Sequence, residues 1–212
     1  MADPVPFLQQ LIRAQREGEA AVQRIVADTT RALGCTVETV RYRPADVPMV
    51  GEFAARCAMG DGEGGGERES VVATFRGSGS GRSLIFFAHP DGEPVSGLAH
   101  WVHDPFSGTI EAGRLYGWGA ADDLCGVAMM VEGLRCALES GGRPAGDVVL
   151  ASTPSKRHAR GVSALLHGGL TADAAVYCHP AESGVGLREI KAFCLGQLDF
   201  RLTVPEIGRA HV

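Results

Sequence analysis

The sequence predicts an α/β fold, a sandwich of helices over a largely parallel sheet. Three observations carry this reading. Short apolar runs at Ser83–Ala88, Asp147–Ser152 and Ala174–Cys178 read as buried strands of the kind a parallel sheet contains. Segments with apolar residues at helical spacing alternate with them. Stretches rich in glycine and proline separate the two kinds.

Pro4 to Leu33 reads as one helix, with Leu8, Leu11, Ile12, Val22, Ile25, Val26 and Leu33 at helical intervals and Gly34 as its stop. Thr36–Tyr42 alternates like a strand. Met59–Glu69 is too glycine-rich for an element interior and reads as a loop. Ser70–Arg76 is a strand, and Gly77–Gly81 turns the chain toward Ser83–Ala88. Pro90–Gly119, rich in Gly, Pro, Trp and His, reads as a functional loop. Leu124–Glu139 carries a helical stripe of Met129, Met130, Leu134 and Leu138, and Val162–Leu166 falls in a further helix. Ile190–Val204 alternates as a half-exposed antiparallel strand would. A change of character near Gly196 divides the chain into a first domain over 1–195 and the start of a second over 196–212.

The totals exclude several functions. The 212 residues carry a formal net charge of −5 and no basic cluster long enough to track a phosphate backbone, so nucleic acid is not the expected partner. No apolar run approaches the ~20 residues that span a bilayer. Met1–Phe7 does not read as a secretory signal, and none of the six cysteines forms a Cys-x-x-Cys pair. The expectation is a cytoplasmic protein with reduced, mostly buried thiols.

Open α/β sheets bind ligands beyond the carboxyl ends of their strands. Ser83–Ala88 runs into His89-Pro90-Asp91, and Ala174–Cys178 runs into His179-Pro180. The helix from Leu124 follows Asp122-Asp123, at the end of the loop Tyr116-Gly117-Trp118-Gly119-Ala120-Ala121. Zinc takes imidazole and carboxylate ligands, and a neighbouring carboxylate can orient a ligating ring. His89, Asp122 and His179 can therefore converge on one ion, with Asp91 fixing the His89 ring. The competing reading is structural: Asp122 or Asp123 as a helix N-cap and His89 as a loop histidine. His100, His103 and His158 read as surface or substrate-side residues without an assigned role, and Trp101 and Trp118 as pocket walls or loop packing.

Several motifs together resemble a known family. Leu84–Val95 (LIFFAHPDGEPV) is similar to the strand, His-x-Asp and x-x-Pro signature of the acetylornithine deacetylase, succinyl-diaminopimelate desuccinylase, aminoacylase and carboxypeptidase G family. Trp101-Val102-His103-Asp104-Pro105-Phe106 resembles its Trp…Asp-Pro-Phe loop, and Gly113 to Asp122 resembles its Gly-x-Leu-Tyr-Gly-Arg-Gly-x-x-Asp motif. The resemblance implies a three-layer αβα sandwich of zinc-exopeptidase type, followed by a small α+β lid that also serves dimerisation. It implies a metal-dependent hydrolase of amide bonds in N-acyl amino acids or short peptides, working as a homodimer. One or two zinc ions are implied, with cobalt or manganese as substitutes. His89 would bind one zinc, Asp122 would bridge two, and Asp91 would support His89.

The sequence also departs from that family. Pro154-Ser155-Lys156-Arg157 stands where the family has a glutamate pair, one a general base and the other a ligand. His179-Pro180 replaces a Glu-Pro ligand position, with Glu182 close by, and Trp118 replaces an arginine. The loss of the glutamates supports an alternative, a degenerate member that binds its peptide or acyl amino acid without cutting it. Ala88-His89-Pro90-Asp91 also resembles the zinc motif of sugar N-deacetylases, but Gly92 replaces its second Asp. The chain reaches only the start of the expected lid, so in isolation it is expected to be inactive. Ile207-Gly208-Arg209-Ala210-His211-Val212 is what ATC GGA AGA GCA CAC GTC would encode, a string matching a common sequencing-library adapter. The expectation is an artefactual tail on a protein that continues. The rival reading makes Gly208-Arg209-Ala210-His211 the family's Gly-x-x-His turn.

Overall fold

The computed structural model describes residues 3–49, 66–156 and 158–180. The expected first helix is two: α1 (Val5–Ala14) and α2 (Glu19–Ala32), with a 3-10 turn at Gln15–Glu17 between them. Gly18, at φ +97°, breaks the helix. The break sits in the polar stretch Gln15-Arg16-Glu17, between the apolar groups ending at Ile12 and starting at Val22. Gly34 ends α2 as expected, at φ +89°.

The main sheet contains β1 (Thr36–Tyr42), β2 (Arg68–Phe75), β3 (Leu84–Ala88), β6 (Val148–Ser152) and β7 (Ala174–Tyr177). Their order is β1-β2-β6-β3-β7. The β3–β6 and β3–β7 pairs are parallel, while β1–β2 and β2–β6 are antiparallel. The sheet is thus mixed, with its parallel half on the side of β3 and β7.

Helices α1, α2 and α3 (Cys125–Gly141) cover one face. There Leu11, Ile12, Val22, Val26, Val127 and Val131 pack on Val71, Ala73, Ala88 and Leu150. On the other face Leu165, from α4 (Arg160–His167), packs with Val72, Ile85, Val149 and Ala151. Alternate residues of each strand serve opposite faces, as the pleat requires. Each fully buried Leu or Ile on these faces contributes about 1.5–3 kcal/mol of transfer free energy. The result is the expected sandwich.

Two further expectations change. Ala174–Cys178 reads as buried in the sequence, yet β7 is exposed along its whole length, because it pairs only with β3 among the described residues. The long loop Pro90–Gly119 contains a hairpin, β4 (Thr109–Glu111) with β5 (Arg114–Tyr116), and a 3-10 turn at Leu98–His100. Ala112 and Gly113, both at positive φ, make its two-residue turn. Cys35, Cys125, Cys136 and Cys178 are free thiols, of which only Cys35 is buried. No helix among the described residues is long and apolar enough to cross a membrane. The expected strand Ile190–Val204, the boundary near Gly196, most of the loop Met59–Glu69 and the unusual tail lie outside the described residues.

Candidate metal centre

β3 ends at Ala88 and hands the chain to His89-Pro90-Asp91. In the parallel pairing β7 ends beside it, two residues before His179. The third element is the entry to α3, where Asp122 and Asp123 have non-helical backbones and are joined by a cis peptide. Leu124 is the N-cap of α3 and no side chain caps that end, so neither aspartate serves as the N-cap.

The two aspartates divide the work. Asp123 points inward, 1% exposed, and its Oδ2 accepts the His89 backbone N–H at 3.2 Å. Burial pushes its carboxyl up to about 7. Asp122 points toward the strand ends. Its Oδ1 lies 3.0 Å from His89 Nε2 and 3.4 Å from His179 Nε2. One ligand atom from each of these three residues falls within 4.8 Å of the others.

The far sides of the rings fix what Nε2 presents. His89 Nδ1 is 2.9 Å from the Asp91 carbonyl oxygen, and His179 Nδ1 is 2.9 Å from the Pro180 carbonyl oxygen. A carbonyl only accepts, so each Nδ1 carries the proton, and a neutral ring then turns a lone pair from Nε2 toward Asp122. Burial pushes His89 down from its ordinary value, which disfavours the imidazolium that would otherwise reconcile ring and carboxylate. A cation between the two Nε2 atoms and the carboxylate oxygen would satisfy all three. With bonds of 2.0–2.1 Å, a tetrahedral ion separates its ligands by roughly 3.3 Å, close to the 3.0 and 3.4 Å found here. The donor set fits a divalent ion of zinc type.

Asp91 holds the His89 ring through its main-chain oxygen, while its carboxylate stands 3.6 Å from Nδ1. That carboxylate instead accepts the backbone N–H groups of Ser155 at 2.8 Å and Lys156 at 3.2 Å, and pairs with Arg68 at 3.5 Å. The Lys156 ammonium bonds Asp122 Oδ2. Burial raises the Asp122 carboxyl, but the hydrogen bond and charge of Lys156 lead the effects that outweigh it and hold the group below the usual carboxylate range. Arg68 also pairs with Glu19 and lies 3.3 Å from Nε2 of His158, which is buried rather than at the surface.

Sequence reasoning gave neither Arg68 nor Lys156 a role. Arg68 has no local signal, since it is one polar residue opening a strand. Lys156 stood out only as a departure. Trp118 donates its Nε1–H to the Glu93 carbonyl at 2.7 Å and meets Trp101 edge to face, 5.6 Å between ring centres. It forms a wall of a cavity of about 210 Å³ beside Arg68 and Asp91. His103 lies tilted against the Tyr116 ring and meets Glu111, and His100 is at the surface. Neither is drawn into the centre.

Known proteins agree with this architecture. The chain is 31% identical to a succinyl-diaminopimelate desuccinylase from Rhodospirillum centenum over 71% of its own length and 34% of that protein's. The chain spans about a third of the length of the curated relatives it matches. An M20 family metallo-carboxypeptidase from Sulfolobus solfataricus superposes with a TM-score of 0.61 at 18% identity, covering 84% of this chain and 37% of that one. A glutaminyl cyclase from Porphyromonas gingivalis superposes at 0.55 with 14% identity, over 82% of this chain and 58% of that one. At such identities the likeness is one of fold, shared by proteins with differently named reactions. The profile of Peptidase family M20/M25/M40 matches residues 85–204, more than half of the chain and both strand ends of the centre, and the chain belongs to that family.

Proposed function

We propose that this chain carries the metal site of a hydrolase that cleaves an amide bond in an N-acyl amino acid or a small peptide. The observation that carries the reading is the convergence of two imidazole Nε2 atoms on one oxygen of Asp122. His89, Asp122 and His179 would hold the ion. Zinc suits this donor set best, and cobalt or manganese would substitute. When bound, such an ion supplies Lewis acidity to the amide carbonyl and lowers the pKa of a coordinated water. Family membership supports the reaction class, and relatives named as desuccinylases support the substrate class.

The protein's own groups do the positioning. The carbonyls of Asp91 and Pro180 hold each ring with Nε2 toward Asp122. Asp123 anchors the His89 backbone, which ties the end of β3 to the start of α3. The Asp91 carboxylate ties the loop after β6 to the same point through the N–H groups of Ser155 and Lys156. Its acceptor capacity is taken up there, so it positions rather than moves protons. Thr153 to Lys156 contains no carboxylate. Without such a base the reaction forgoes the roughly 10²–10⁴-fold that general-base help contributes. This favours slow turnover, and it is the observation behind a second reading, a member that binds the same ligands without cutting them.

Hydrolysis of N-succinyl and N-acetyl amino acids and of dipeptides by the full-length gene product decides between the two. The expected result is turnover that a chelator removes, that zinc, cobalt or manganese restores, and that Asp122→Ala lacks. Metal uptake with no turnover across the panel would overturn hydrolysis in favour of binding alone.

A further inference from the structure

We infer that this centre is built for a single divalent ion, with the Lys156 ammonium standing as a built-in second cation on Asp122. The inference rests on the metal reading of His89, Asp122 and His179 proposed above.

The two oxygens of Asp122 have different surroundings. Oδ1 faces both histidines, whereas Oδ2 is bonded by Lys156 Nζ. A carboxylate that bridges two ions offers one oxygen to each, and here the second oxygen is already taken. Lys156 is held in place: its own N–H bonds the Asp91 carboxylate, and its side chain is 18% exposed. Among the described residues, no separate set of donors for a second ion stands beside this one. Among the described residues the only metal-capable group is the one with His89, Asp122 and His179. The neighbouring carboxylates are turned to other tasks: Asp91 is engaged by Ser155, Lys156 and Arg68, and Asp123 is buried with its Oδ2 on the His89 N–H.

Charge leads the same way. Asp91, Asp122 and Glu19 face Arg68 and Lys156, a net of one negative charge, or two where Asp123 beside them is ionised. One divalent ion takes this partly buried cluster to at most one positive charge, and a second would take it to at least two. Such an excess is strongly opposed where water is scarce.

The test is a count of ions. Metal-free protein is titrated with Co²⁺, followed by visible absorption, and loaded with Mn²⁺ for electron paramagnetic resonance. Saturation at one equivalent, with an uncoupled Mn²⁺ spectrum, is expected. Lys156→Glu, which replaces the ammonium with a ligand, should saturate at two equivalents. Lys156→Gln keeps one equivalent but should bind it at least about tenfold more tightly, because a fixed positive charge beside the ion is gone. It carries the test if the glutamate variant does not fold. Two equivalents in the unsubstituted protein, one in Lys156→Glu, or unchanged affinity in Lys156→Gln would overturn the inference. No binding at all would instead overturn the ligand assignment on which it rests.

Discussion

The strand ends around the centre fall into two groups with opposite chemistry. β3 and β7 end in imidazoles, His89 and His179, which offer lone pairs. β6 and the start of β2 bring cations, Lys156 and Arg68. Asp91 and Asp122 lie between the groups and touch both. On the cation side the protein supplies its own neutralising charge. On the imidazole side it supplies acceptors, which under the proposed reading meet a bound cation. The lesson is that a metal site and a structural ion-pair network can share the same carboxylates. A change in one half is then felt in the other.

The largest effect should follow from removing the shared oxygen. Structural zinc sites bind with roughly 10–16 kcal/mol over four ligands, or about 2.5–4 kcal/mol for each. Asp122→Ala should therefore weaken zinc binding by roughly 10²–10³-fold in competition with a chelating dye. A loss below about threefold would show that Asp122 belongs to the ion-pair side alone. Breaking the other half comes next. Arg68→Leu leaves Glu19 and Asp91 without their cation, at 24% and 9% side-chain exposure. The expected loss is about 3 kcal/mol, read from denaturant unfolding. Its pH dependence has a definite sign. Burial already raises Glu19 above its ordinary 4.5, and removing Arg68 raises it further. A raised carboxyl favours the folded state only while protonated, so the deficit should grow as pH rises above about 4.5 and shrink toward it. A deficit independent of pH would mean that Arg68 acts through packing.

This division also explains what could be read from the sequence. The imidazole side was legible because each histidine directly follows a short apolar run, and a strand end is a local feature. Asp122 was legible because it precedes an amphipathic helix. The cation side was not. Arg68 reaches the centre because β2 lies antiparallel to β6 with Val71 opposite Ser152, a register between residues far apart in sequence. No local pattern encodes that pairing, and the same antiparallel neighbour makes the sheet mixed. The break at Gly18 was hidden because helical spacing resumes beyond it, and the β4–β5 hairpin because three-residue strands are too short to show alternation.

Two glycines of α3 sharpen the comparison at lower energy. A Cβ on Gly126 would stand 2.3 Å from the Cys178 carbonyl oxygen and 2.4 Å from Asp123 Oδ1. Both partners belong to the frame that holds the imidazoles, so Gly126→Ala should cost about 1–3 kcal/mol and weaken metal binding with it. Unchanged metal affinity would uncouple this packing from the site.

Two turns further along the helix the argument reverses. Gly133 is exposed in mid-helix, and a Cβ there meets nothing within 4 Å. Alanine loses less backbone freedom on entering a helix, so Gly133→Ala should stabilise the fold by about 0.5–1 kcal/mol and leave metal affinity unchanged. The pair separates two effects that a single substitution would confuse. If both variants lose stability, α3 tolerates no added side chain and the Gly126 result says nothing about the centre. If they move in opposite directions and only Gly126→Ala loses metal, then close packing of the first turn of α3 on the end of β7 is what keeps His179 and Asp122 within reach of one ion.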